Sequence, residues 1–277
     1  MPPTRSVVVT GASTGIGRAT VTELVGRGFH VWATVRRDVD AAALVSEFGQ
    51  AVTPLLVDLL DHESVRAAGT RVVAAGPLHG LVNNAGVALP APLEFLPIEV
   101  FRRQLDINLV GQLLITQVML PALFAAPDAR ITFVGSISGR LSGPILGAYS
   151  ASKHGLVGMV SSLRAELAPY GVRVSLVEPG VIATPIWERG AAAGDEITGE
   201  MPAETTRYRN QIARARESAS HGSDGLDPAV VGRVIVKTLT SARPKPRQVV
   251  GRDAKLGAFI VLVLPFSAVY RLAAGVR

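Results

Sequence analysis

The chain predicts an α/β fold: one doubly wound parallel sheet with helices on both faces, forming a single domain over residues 1–277. Three observations carry this. Short runs rich in β-branched residues alternate with longer helical stretches along the 277 residues. The runs are nearly continuous in apolar character, as strands covered on both faces must be. No internal repeat and no linker divides the chain, and right-handed crossovers then wind the sheet in two directions.

The strands are expected at 7–10, 31–35, 52–57, 80–83, 130–135, 172–178 and 248–250. Helices are expected between them at 17–27, 41–48, 64–75, 99–124, 149–170 and 228–240. Two segments break the rhythm. Residues 188–227 are polar and charged, with helical potential near 205–217. Structureless loops of that length are rare in compact domains, so a substrate lid over 187–227 is expected. The stretch from Leu256 to Tyr270 has fifteen residues without a charge and Pro265 inside it. It falls short of the ~20 apolar residues of a membrane span. Within a C-terminal apolar extension over 251–277, its first reading is core, pocket or oligomer contact. Membrane-surface contact is the second reading and insertion the third.

Composition removes several chemistries. The chain is 48% hydrophobic and 18% charged, which suits a buried core and excludes a disordered chain. Without cysteine there can be no disulfide, thiolate metal site or cysteine nucleophile. His30, His62, His79, His154 and His221 show no close ligand spacing, so no metal is expected. The net charge of +6 reads as an arginine-biased solvated surface. Arg36-Arg37 and Arg102-Arg103 are too short for a nucleic-acid groove, so no nucleic-acid partner is expected. The chain enters its first strand almost at once, at Ser6-Val7-Val8-Val9-Thr10, and shows no signal peptide. A cytoplasmic location is the expectation.

The segment Thr10-Gly11-Ala12-Ser13-Thr14-Gly15-Ile16-Gly17 follows the first strand and opens the first helix. Its glycines permit a tight turn and close approach to a pyrophosphate, and helix N-terminal amides supply positive field. The second strand ends Ala33-Thr34-Val35-Arg36-Arg37, with no acid where a ribose 2′-hydroxyl is usually held. A guanidinium binds a 2′-phosphate that a carboxylate would repel. Arg36, helped by Ser13 and Arg37, therefore argues for NADP(H) over NAD(H).

Tyr149 stands four residues before Lys153, so on a helix phenol and ammonium share one face. An ammonium nearby favours the phenolate and draws the pKa of ~10 toward the working range. The phenol then becomes a candidate general acid and base.

With these pieces in order, the chain resembles the short-chain dehydrogenase/reductases over nearly its whole length, from Thr10 to about Val250. The resemblance implies that Asp58, in Leu56-Val57-Asp58, contacts the adenine amine. It implies that Asn84, Ala85 and Gly86, in Asn83-Asn84-Ala85-Gly86, lie beside the cofactor, and that Pro179, Gly180 and Thr184 meet the nicotinamide carboxamide. Ser136 matches the serine that orients the substrate carbonyl, with Ser138 as its competitor. Asn108 matches the asparagine that holds a relay water. Lys153 gains a second task, binding the nicotinamide ribose beside Tyr149. Asp58 as a strand-end cap and Asn108 as a partner of buried backbone are the plainer alternatives.

Ala33-Thr34-Val35-Arg36, Gly135-Ser136-Ile137-Ser138-Gly139-Arg140 and the tail from Val249 to Lys255 look like the 17β-hydroxysteroid and retinol dehydrogenase-like group. That group implies a lipophilic alcohol or carbonyl substrate. The family also implies a homodimer or homotetramer through helices 99–124 and 149–170. Two alternatives stand beside this reading: a 3-oxoacyl thioester reductase of fatty-acid type, and a non-catalytic dinucleotide-binding protein.

Overall fold

A computed structural model describes residues 5–274. Seven strands form one sheet: β1 (Ser6–Val9), β2 (His30–Val35), β3 (Val52–Leu56), β4 (Gly80–Asn83), β5 (Arg130–Val134), β6 (Arg173–Pro179) and β7 (Arg247–Val250). Every pairing is parallel, and the order is β3-β2-β1-β4-β5-β6-β7. Alternate residues of β1 serve opposite layers. Val8 joins Leu81, Ile131 and Phe133 on one face, while Val7 and Val9 join Val31, Val82 and Ile235 on the other. The period-2 side-chain direction of a strand, with both faces buried, is why the runs are apolar throughout.

The helices are α1 (Gly15–Val25), α2 (Asp38–Phe48), α3 (His62–Ala74), α4 (Ile98–Leu105), α5 (Gly111–Phe124), α6 (Gly147–Leu167), α7 (Ile186–Gly199), α8 (Arg209–Ser220), α9 (Pro228–Thr240), α10 (Arg252–Val263) and α11 (Phe266–Ala274). The single helix expected at 99–124 is interrupted by a π turn at Asp106–Val110 that carries Asn108. The stretch Ile98–Phe124 is long and apolar enough by composition to cross a membrane. Its Ile115, Met119 and Leu123 are instead wholly buried in the core.

The excursion after β6 holds two helices, α7 and α8, joined by a 3-10 segment at Ala203–Tyr208. The C-terminal stretch is not part of the core of the single chain. It forms α10 and α11 on either side of Pro265, and most of its large apolar side chains face outward: Leu262 is 82% and Phe266 86% exposed. Only the root of α10, at Ala254 and Gly257, is buried.

The strand order reverses between β1 and β4, and in open parallel sheets a crevice opens there at the carboxyl ends of the strands.

Candidate active site

A cavity of about 510 Å³ runs along that edge, from the glycine loop and the end of β2 to the start of α6. The glycine loop is clipped to β4 by side-chain bonds. The Thr10 hydroxyl accepts from the Asn84 and Ala85 amides, both at 2.9 Å, and Asn84 Nδ2 donates to the Thr10 carbonyl at 2.9 Å. Gly11 and Gly15 have φ of 63° and 57°, in the left-handed region where glycine is at ease. A Cβ on Gly11 would sit 2.9 Å from the Ala85 Cα, and one on Gly15 would sit 2.9 Å from the Thr184 Cγ2. The loop is therefore a cradle open only because side chains are missing, the form a pyrophosphate requires.

Ser13, Thr14, Gly15 and Ile16 line the cavity beside Gly11. Gly17 does not. A Cβ there would strike the Gly11 carbonyl, so this glycine, expected to bind cofactor, instead lets α1 start against its own loop.

Arg36 lines the far end of the cavity. Arg37, expected to assist, lines the cavity too and is paired there with Asp40. Its guanidinium donates twice to Asp40, at 2.8 Å each, and holds that carboxyl below its ordinary range. Arg189, from the first turn of α7, lines the same cavity and lies within Coulombic reach of Asp40, as Arg36 does. Nothing local in the sequence linked Arg189 to this end of the cleft. Asp58 lines the cavity while its Oδ1 accepts from the Leu60 amide at 3.0 Å, so the strand-end turn and the cleft share one carboxylate.

At the opposite end Ser136, Tyr149 and Lys153 all line the cavity, whereas Ser138 does not. The Ser136 Oγ accepts the Ser138 amide at 3.1 Å, so the rival serine helps fix the hydroxyl that faces the cleft. Desolvation pushes the Tyr149 phenol above its ordinary pKa, and a hydrogen bond with Ser136 opposes that push. Lys153 is buried, and its Nζ donates to the Val134 carbonyl at 3.0 Å. Its Nζ lies 5.7 Å from the centre of the Tyr149 ring, and burial lowers its own pKa to about 8. Burial is thus the largest influence on both groups, and the phenol's net shift is upward rather than toward the working range expected from Lys153 alone.

Asn108 is fully buried, and it does not line the cavity. Its Oδ1 accepts from the Val87 amide at 2.9 Å, and its Nδ2 donates to the Val87 carbonyl and to Ser152 Oγ, at 3.0 and 3.1 Å. It fastens the segment after β4 to α6, one residue from Lys153. Ala85 and Gly86 of that segment line the cavity, as do Pro179, Gly180 and Thr184 after β6.

Two constellations outside the sequence expectations brace this end. Glu178 is fully buried between Arg140 and Arg247, each donating twice at 2.6–3.0 Å. Burial would raise its carboxyl, but the two guanidinium groups outweigh this and hold it below the ordinary value. The Ser136 turn is thereby bolted to β6 and β7. Asp253 accepts from the Val181 amide at 2.7 Å and fills the space a Cβ on Gly180 would take. Val87, Leu89, Leu146, Trp187 and Ala193 give the cavity apolar lining.

The sequence model of the short chain dehydrogenase family matches residues 5–193. The chain is 35% identical over 257 residues to 3-amino-tetrahydro-pyrrolizinone reductase of Xenorhabdus hominickii, covering 91% of this chain and 88% of that protein. It is 32% identical to retinol dehydrogenase 7 of Rattus norvegicus, covering 94% and 84% respectively. A solved short chain dehydrogenase from Burkholderia cenocepacia, in complex with NADP, superposes with a TM-score of 0.76 at 26% identity over 97% of each chain. The family match spans β1 to the first half of α7, the part of the molecule that builds the cleft, and so the chain belongs to the short-chain dehydrogenases, a family of oxidoreductases.

Proposed function

We propose that this oxidoreductase uses NADP(H) to interconvert a ketone or aldehyde and an alcohol on a lipophilic substrate of steroid, retinoid or lipid type. One observation carries the reading: Ser136, Tyr149 and Lys153 meet at one end of a single cleft whose other end presents Arg36 and Arg189. When bound along the glycine cradle, the nicotinamide dinucleotide supplies or accepts the hydride.

The protein's own groups handle the oxygen and its proton. In reduction the Tyr149 hydroxyl donates its proton to the carbonyl oxygen, and the Ser136 hydroxyl donates a hydrogen bond to the same oxygen as charge builds on it. In oxidation Tyr149 takes the alcohol proton. A phenol raised by burial carries its proton at neutral pH, which suits the acid role. The Lys153 ammonium stabilises the phenolate left after proton donation, and its bond to Val134 fixes where that charge stands. Asn108 acts as a positioning residue, setting α6 against the segment after β4.

The apolar wall of Val87, Leu89, Leu146 and Trp187 excludes water and fits an apolar body around the reacting oxygen. The 187–227 excursion is the lid over it. Exposed Val110 in the π turn, Phe124 at the end of α5 and Tyr170 just after α6 suit pairing with a second copy in a homodimer or homotetramer in the cytoplasm.

Two measurements test the reading. Tyr149→Phe should keep NADPH binding, followed by fluorescence, while turnover falls by at least about 100-fold, in line with loss of general acid–base catalysis. Undiminished turnover would remove Tyr149 from the chemistry. A screen following NADPH absorbance with lipophilic ketones against small polar ones tests the substrate class.

A further inference from the structure

We infer that the α10–α11 pair is a membrane-surface foot that docks on an anionic lipid bilayer. The observation is a concentration of large apolar side chains with nothing over them: Leu256, Phe259, Leu262, Val263, Phe266 and Tyr270 are all exposed. On α10, at 100° per residue, Arg252 and Lys255 share the face of Leu256, Phe259, Leu262 and Val263. The cations occupy the turn nearest the protein body, and the apolar residues continue beyond them to the Pro265 bend. That order, cations first and apolar tip beyond, matches the order of headgroup and acyl region in a bilayer. Phe266 and Tyr270 on α11 add aromatic rings of the kind that settle at that boundary.

Charge distinguishes a bilayer from a second copy of the chain. Within 252–274 the cations are Arg252, Lys255 and Arg271, and the one acid is Asp253, already held by the Val181 amide. A two-fold contact through this face would bring equal sets of cations together with no carboxylate between them. An anionic surface satisfies both the cations and the apolar tip.

The foot is rooted on the active site. Gly257 packs so closely that a Cβ there would sit 2.9 Å from Leu141 and 3.3 Å from Ile137, in the turn following Ser136. Asp253 ties the same root to the segment leading to Thr184. The docking element is thus fastened to the two segments that frame the substrate end of the cleft.

The test uses the full chain in a flotation assay, with vesicles of phosphatidylcholine alone and of phosphatidylcholine with phosphatidylglycerol. The protein is expected to rise with the anionic vesicles, and less so at high salt. Lys255→Gln should weaken that partitioning by about fivefold, the share of one juxtamembrane cation. Leu262→Ser with Phe266→Ser should abolish it, while turnover on a water-soluble ketone and the elution volume on size exclusion stay unchanged. If the native chain rises with neither vesicle, the inference is overturned. It is equally overturned if the double variant elutes as a smaller species, because the face would then belong to a second copy. Neither outcome depends on the substrate reading, which the NADPH screen judges separately.

Discussion

The Lys153 ammonium donates to the Val134 carbonyl oxygen at 3.0 Å, across nineteen residues of chain. This bond joins the active-site helix to the end of β5, two residues before Ser136. It holds a buried cation at a fixed place beside the phenol, and the cost of burying that cation appears in its pKa of about 8.

Stability is the first consequence. Lysine ordinarily titrates at 10.5, so below about pH 8 the ammonium is charged in both folded and unfolded chains and burial costs on the order of 3 kcal/mol. Replacing it by an apolar side chain leaves the Val134 carbonyl unpaired, which costs about 1 kcal/mol in return. Lys153→Met is therefore expected to melt several degrees higher than the native chain at pH 7 without cofactor, while losing turnover. Between pH 8 and 10.5 the native chain regains the difference, because the unfolded state binds more protons there. Calorimetry across that range checks the sign; a lower melting temperature at pH 7 would contradict it.

The same titration shapes catalysis. Reduction needs the Tyr149 proton and the Lys153 charge together. With the phenol raised and the lysine lowered, the charge is lost first. The kcat/KM for ketone reduction should be level at neutral pH and fall above about 8, since this quantity reports groups of the free enzyme. A profile level to pH 10 would show that the ammonium is not required.

Glu178 gives a prediction on the acid side. Its folded pKa is depressed, so its contribution is present above the ordinary carboxylate value and is lost as pH falls through the folded one. Glu178→Gln should cost about 3 kcal/mol at pH 7, the usual effect of breaking a buried pair. Its stability should also change less than the native chain's under acid. Because Arg140 follows the Ser136 turn, kcat should drop more than NADPH affinity does. Urea titrations at pH 7 and below 4, with steady-state kinetics, separate these effects.

Cofactor choice is tested at both cations. Arg36→Asp should weaken NADPH binding by about tenfold to a hundredfold, through loss of a charge-assisted pair and added repulsion, and leave NADH little changed. Arg189→Gln should weaken NADPH by a smaller factor, about threefold to tenfold, since it removes a charge without adding an opposing one. Equal effects on the two cofactors would show that neither guanidinium meets the 2′-phosphate.

Much of this protein was legible along the chain, because the deciding interactions are local. Strands buried on both faces announce themselves as apolar runs. The glycine loop sits within one strand-turn-helix unit, and Tyr149 and Lys153 share a helix face by their spacing alone. Tertiary structure decided the rest. Glu178 meets Arg140 and Arg247 across 38 and 69 residues, and Lys153 bonds a carbonyl on another strand, so neither contact has a sequence period to betray it. Gly17 and Asn108 carry residue types that fit a ligand equally well, and only the packing around them shows the loop and helix contacts they make. The apolar tail shows the limit most clearly. Its composition was plain from the sequence, but hydrophobicity alone cannot distinguish a buried segment from an exposed one. The fold leaves this stretch facing outward because the sheet's two faces are already covered by the helices that precede it.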